Sequence, residues 1–145
     1  MKKIWMLLIG LFGIATIGCA DDKPIAFEQT PVAAQQFIKT HFPQAKVLYA
    51  KVDKDVFDRT YDVVMADGSQ VEFNKNGEWT EVDCLQVAVP AVIVPQQIKT
   101  WVASQYAGQQ IVSISRDKRG YDIKLSNRFE VEFDQNFQLI DLDVD

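Results

Sequence analysis

Apolar residues recur along this chain with two different periods. After Thr30-Pro31, the residues Ala34, Phe37, Ile38 and Phe42 fall at helical spacing. Thr30 reads as the N-cap and Pro31 as the first helical residue, where a missing N–H costs nothing. His41-Phe42-Pro43 ends this helix, because the residue before a proline is pushed out of the helical region. Pro95 opens a second helix with Ile98, Trp101, Val102 and Tyr106 as its stripe, closed by Ala107-Gly108. Beyond each helix the period drops to 2. Alternation predicts strands near 46–53, 58–66, 70–74 and 78–84, then near 110–116, 120–126, 128–134 and 137–143. Asp67-Gly68 and Asn76-Gly77 are hairpin turns of the kind that tolerates positive φ.

The two halves of the pattern are related. Tyr61 to Phe73 (YDVVMADGSQVEF) pairs position for position with Tyr121 to Phe133 (YDIKLSNRFEVEF), and Tyr61, Asp62, Val71, Glu72 and Phe73 all recur. The expected architecture is therefore α+β: two repeats, about 30–84 and 94–145, each a helix followed by a four-stranded antiparallel meander, with the helices on one face. A unit of this size buries too little surface to be firmly stable alone, so residues 21–145 are expected to form one domain around a shared core. Residues 87–94 (VAVPAVIV) are a linker apolar enough to pack or pair.

Comparing halves sorts the faces of the strands. Tyr61, Val63, Met65, Val71 and Phe73 match Tyr121, Ile123, Leu125, Val131 and Phe133, which makes these positions core. The interleaved Asp62, Glu72, Glu81 and Asp83 match Asp122, Glu132, Asp141 and Asp143, so a row of carboxylates is expected on the other face, together with Trp79 and Tyr49.

The first twenty residues read as an export signal: basic Met1-Lys2-Lys3, an apolar run from Ile4 to Ile17, and small Gly18-Cys19-Ala20 before Asp21-Asp22. The run is too short for a retained span. Cleavage after Ala20 would release a periplasmic protein, whereas lipidation of Cys19 would anchor it to the membrane. Either route leaves Cys84 without an intrachain partner. Loss of Lys2 and Lys3 would take the formal charge from -5 to -7. A chain this acidic excludes nucleic acid as a partner and is repelled by anionic membrane surfaces.

The helix PVAAQQFIKTHFP, the block YDVVMADGSQVEFNKNGEW, TEVDC and the closing SNRFEVEFDQNFQLIDLD resemble the PepSY-like family of small exported bacterial proteins, with a fold similar to the β-lactamase-inhibitor protein. The resemblance spans the mature chain. It implies no enzymatic activity and no catalytic residues, an inhibitory or protein-binding role, and, for some members, calcium regulation.

The residues agree with a non-enzymatic reading. His41 has no acid or nucleophile near it in sequence, and Cys84 has no local cation to lower its pKa, so Cys84 reads as a small buried apolar residue. Asp53, Asp55 and Asp58 superficially suggest a calcium loop, but Asp58 and Val64 stand where an EF-hand needs Gly and Glu. Weak Ca²⁺ binding along the carboxylates is the alternative role, with no other cofactor expected. The leading candidate is a partner-binding face made of Tyr49, Asp62, Val64, Glu72, Trp79, Glu81, Asp122, Lys124 and Glu132, in which aromatic anchors are ringed by charge as at hot-spot interfaces. The partner would be another exported or envelope protein.

Overall fold

The computed structural model describes residues 22–144 except 56 and 86. The expected export signal, the cleavage after Ala20 and the lipidation of Cys19 lie outside the described residues.

The chain begins with a short strand β1 (Lys23–Ile25) and a 3-10 turn (Phe27–Gln29), followed by helix α1 (Val32–His41). Strands β2 (Val47–Lys54), β3 (Arg59–Met65), β4 (Gln70–Phe73) and β5 (Trp79–Asp83) come next. A second 3-10 turn (Ala91–Ile93) leads into α2 (Gln96–Gln105), and the chain continues as β6 (Ile111–Asp117), β7 (Gly120–Leu125), β8 (Phe129–Asp134) and β9 (Leu139–Val144).

The architecture departs from a tandem repeat of helix plus four-stranded meander. Among the described residues, nine strands form a single antiparallel sheet, in chain order from β1 to β9, accompanied by two α-helices. Two pairings make the difference. β5 pairs with β6 across the linker, setting Glu81, Val82 and Asp83 opposite Ser115, Ile114 and Ser113. β1 adds a ninth strand by placing Lys23 to Ile25 against Val52 to Ala50.

The helix starts also differ from the expected capping. Pro31 and Pro95 are themselves the caps. Thr30 turns backwards instead, its Oγ1 donating 2.6 Å to the carbonyl of Phe27, and Gln35 reaches back from α1 to donate to the carbonyls of Glu28 and Thr30. α1 is thus tied to the turn before it.

The core is one cluster. Ala34 and Ile38 of α1 and Ile98 and Val102 of α2 are buried with Val63, Met65, Val71, Phe73, Val82, Ile114, Ile123, Leu125, Val131 and Phe133 from the strands. Phe37 meets Phe73 edge-on at 5.5 Å, and Trp101 meets Phe133 edge-on at 5.3 Å, so each helix docks on a strand phenylalanine. Gly120 shows how tightly β7 and β8 approach. Its φ is +147°, and a Cβ there would run into the carbonyl of Phe133.

Candidate functional site

Register assembles the candidate site. On the sheet face opposite the core, Lys51 stands beside Asp62, Asp62 beside Glu72 and Glu72 beside Glu81. Ser115 follows, then Asp122, Glu132 and Asp141. One row therefore crosses eight strands, with neighbours separated by about 4.8 Å. Six of its members are carboxylates. A second row runs alongside: Tyr49, Val64, Gln70, Asp83, Ser113, Lys124, Glu130 and Asp143.

Crowding and burial raise the acids at one end. Partial burial, reinforced by Glu72 and only partly opposed by Lys51, pushes Asp62 up to about 6. Burial together with the charges of Glu72, Asp83, Asp62 and Asp122 pushes Glu81 up to about 7. Glu72 sits between them and accepts a 2.8 Å hydrogen bond from Thr80 Oγ1. Lys51 closes the row, its ammonium 3.2 Å from Asp22 and 3.9 Å from Asp62. Burial lowers the Lys51 pKa, but these two carboxylates outweigh it and hold the group above the ordinary lysine value. In the second row Lys124 lies 3.8 Å from Glu130. Ser113 is buried with its hydroxyl unpaired among the described residues.

Eight of the nine residues expected on this face lie on it. Asp62, Glu72, Glu81, Asp122 and Glu132 share the first row, and Tyr49, Val64 and Lys124 the second. Val64, only 6% exposed, is floor, whereas Tyr49 is 47% exposed. Trp79 is the correction: it is on the opposite face. The β4–β5 ladder slips between Glu72 and Phe73, so Glu72 faces Glu81 while Phe73 faces Trp79, leaving Thr80 as the extra residue. The bulge resets the alternation and sends the indole to the core side. There it packs against the cluster under Arg116, whose guanidinium carbon is 3.9 Å from the ring centroid and whose Nε donates 2.8 Å to the Trp79 carbonyl. Lys51 and Ser115 are members that the sequence reading missed. Simple alternation from Tyr49 would have found Lys51, whereas Ser115 enters only through the pairing of β5 with β6.

Other candidates are structural. His41 packs 4.5 Å from Phe37. Cys84 is a buried free thiol, and burial pushes its pKa to about 11, which leaves it a poor nucleophile. The loop bearing Asp55 and Asp58 borders a hollow lined also by Lys54, Arg59 and Lys75, a mixed-charge surface. Among the described residues, no three His, Cys, Asp or Glu side chains are gathered as a metal-ligand set, and no helix is long and apolar enough to cross a membrane.

The profile of the family described as "Putative beta-lactamase-inhibitor-like, PepSY-like" matches residues 59–141. The chain belongs to the PepSY-like family. The matched span carries the rows from Asp62 to Asp141, while Tyr49 and Lys51 precede it and Asp143 follows it. Three solved relatives are similar over nearly their whole length. A putative periplasmic protein of the DUF2874 family from Bacteroides vulgatus is 50% identical, covering 87% of this chain and 99% of its own, with a TM-score of 0.84. A putative calcium-regulated periplasmic protein from Bacteroides thetaiotaomicron is 47% identical over 85% of this chain and 97% of its own, with a TM-score of 0.82. A further putative periplasmic protein of unknown function from Bacteroides vulgatus is 41% identical over 84% and 98%, with a TM-score of 0.80. No curated protein matches the chain.

Proposed function

We propose that this PepSY-like protein is a non-enzymatic module of the periplasm or envelope that binds a cationic patch of another exported protein through the carboxylate face of its sheet. The observation that carries the reading is the row of six carboxylates held in register from Asp62 to Asp141. A rigid sheet presents these charges without the entropy loss that a flexible acidic tail would suffer on binding. Exposed Tyr49 beside the row supplies an aromatic anchor in place of Trp79. The periplasmic descriptions of the relatives agree with the compartment.

Capture from an envelope extract by residues 21–145 tests this. The captured protein should be released as salt rises and lost when Asp122→Lys and Glu132→Lys are combined. Capture indifferent to both would refute the reading.

Calcium responsiveness is the second reading, favoured by the raised acids and by the description of the relative from Bacteroides thetaiotaomicron. Burial lifts Asp62 and Glu81 most, and a divalent cation would relieve the carboxylate repulsion that adds to it. Millimolar Ca²⁺ should then raise the melting temperature, and Asp122→Asn or Glu132→Gln should abolish the rise.

A further inference from the structure

A groove of about 370 Å³ runs between the last turns of α2, the segment 88–94 and the start of β6. Its size falls at the lower end of small-molecule sites, roughly 300–1,000 Å³. Val89, Val94, Val102, Tyr106 and Ile111 form its apolar wall, and Ala88, Ala91, Ala103, Ala107 and Gly108 leave it open because none has a side chain long enough to fill it. The wall is firm. Val89, Val94 and Val102 belong to the core cluster, and the Tyr106 ring is held 5.7 Å from Trp101 and 5.2 Å from Phe129.

The charged group at this groove is Lys99, and Gln109 and Gln110 also line it. Lys99 is half-buried and has no carboxylate partner among the described residues. Gln35, the fourth residue of α1 as Lys99 is of α2, shows the contrast: it is satisfied by the carbonyls of Glu28 and Thr30. A cation beside an apolar trough and without an internal counter-charge is complementary to a ligand with an apolar body and one anionic end.

We propose that this groove binds a free aliphatic monocarboxylate of medium chain length, its chain along Val89, Val102 and Tyr106 and its carboxylate on the Lys99 ammonium. The site is separate from the carboxylate face.

Octanoate, octan-1-ol and octyltrimethylammonium can be titrated into isotopically labelled residues 21–145 and followed by amide shifts. Octanoate should bind at millimolar concentration or better and shift amides within 88–111. Lys99→Met should weaken it about tenfold, the factor expected for a charge-assisted contact at a partly exposed site, while Lys99→Arg keeps it. Octan-1-ol should bind more weakly than octanoate and be indifferent to Lys99→Met. Ala103→Phe, on an exposed helix position, should block octanoate with Lys99 intact and without loss of the fold, checked by circular dichroism. Octanoate that binds Lys99→Met equally well, octan-1-ol or the ammonium compound binding as tightly as octanoate, shifts outside the groove, or no binding at all would each overturn the proposal.

Discussion

Glu81 and Asp62 are the residues where the arrangement of the face can be read as chemistry. Both acids are raised in the folded protein, so between the unfolded values near 4 and the folded values near 6 and 7 the native state holds more protons than the unfolded chain. Their contribution to stability is therefore fully present below pH 4 and falls as pH rises through 6 and 7. Unfolding free energy should decline from pH 5 to pH 8, and Glu81→Gln should flatten that decline and stabilise the protein at pH 8 by roughly 1–3 kcal/mol, the value of one to two pK units after some screening. Denaturant titrations at both pH values check it, and a wild-type profile that rises with pH would show that these acids are not crowded. Trp79 carries the opposite lesson. Because its ring lies on the core side under Arg116, Trp79→Ala should cost roughly 2–3 kcal/mol of stability, for loss of a partly buried aromatic, and leave partner capture per folded molecule unchanged. The core and acidic positions could be read from alternation, since Val63 and Asp62 differ in the character that decides which face meets water. Trp79 could not. A bulge shifts the alternation by one residue, and nothing in GEWTEVD other than the pairing itself marks Thr80 as the extra member.

At the scale of elements, the strands from β2 to β9 lie within two residues of the positions that period-2 patterning indicates, and those from β2 to β8 each have one face against the core. β1 escaped the reading for a physical reason. Three residues that include Pro24 have almost no intrinsic strand signal, and β1 exists by pairing with Val52 to Ala50 at the sheet edge. The join of β5 to β6 was equally hidden, since strand order is a long-range property that local spacing does not encode. Turns are more demanding than strands. Gly120→Ala at the start of β7 should destabilise by more than about 2 kcal/mol, because the added methyl meets the Phe133 carbonyl in a backbone conformation that side chains rarely adopt. Thermal melts measure this directly, and a shift of under one degree would mean that β7 and β8 separate at little cost.

Across the whole molecule, continuity of the sheet makes the site a property of all the strands. The rows cross β5–β6, so a chain cut between them loses both the core contacts of one helix and half of its carboxylates. Residues 21–88 alone should melt without cooperativity, whereas 21–145 should show one transition; two independent transitions in the longer chain would contradict a shared core. Carboxyl footprinting of the captured complex, in which a carbodiimide couples an amine to accessible acids and mass spectrometry locates it, tests the proposed role of the face most directly. Binding of a cationic partner along the rows should protect Glu72, Asp122, Glu132 and Asp141 while leaving Glu28 and Glu78, in turns away from the rows, as reactive as in the free protein. Unchanged labelling along the rows, with protection appearing at Glu28 or Glu78 instead, would contradict the account.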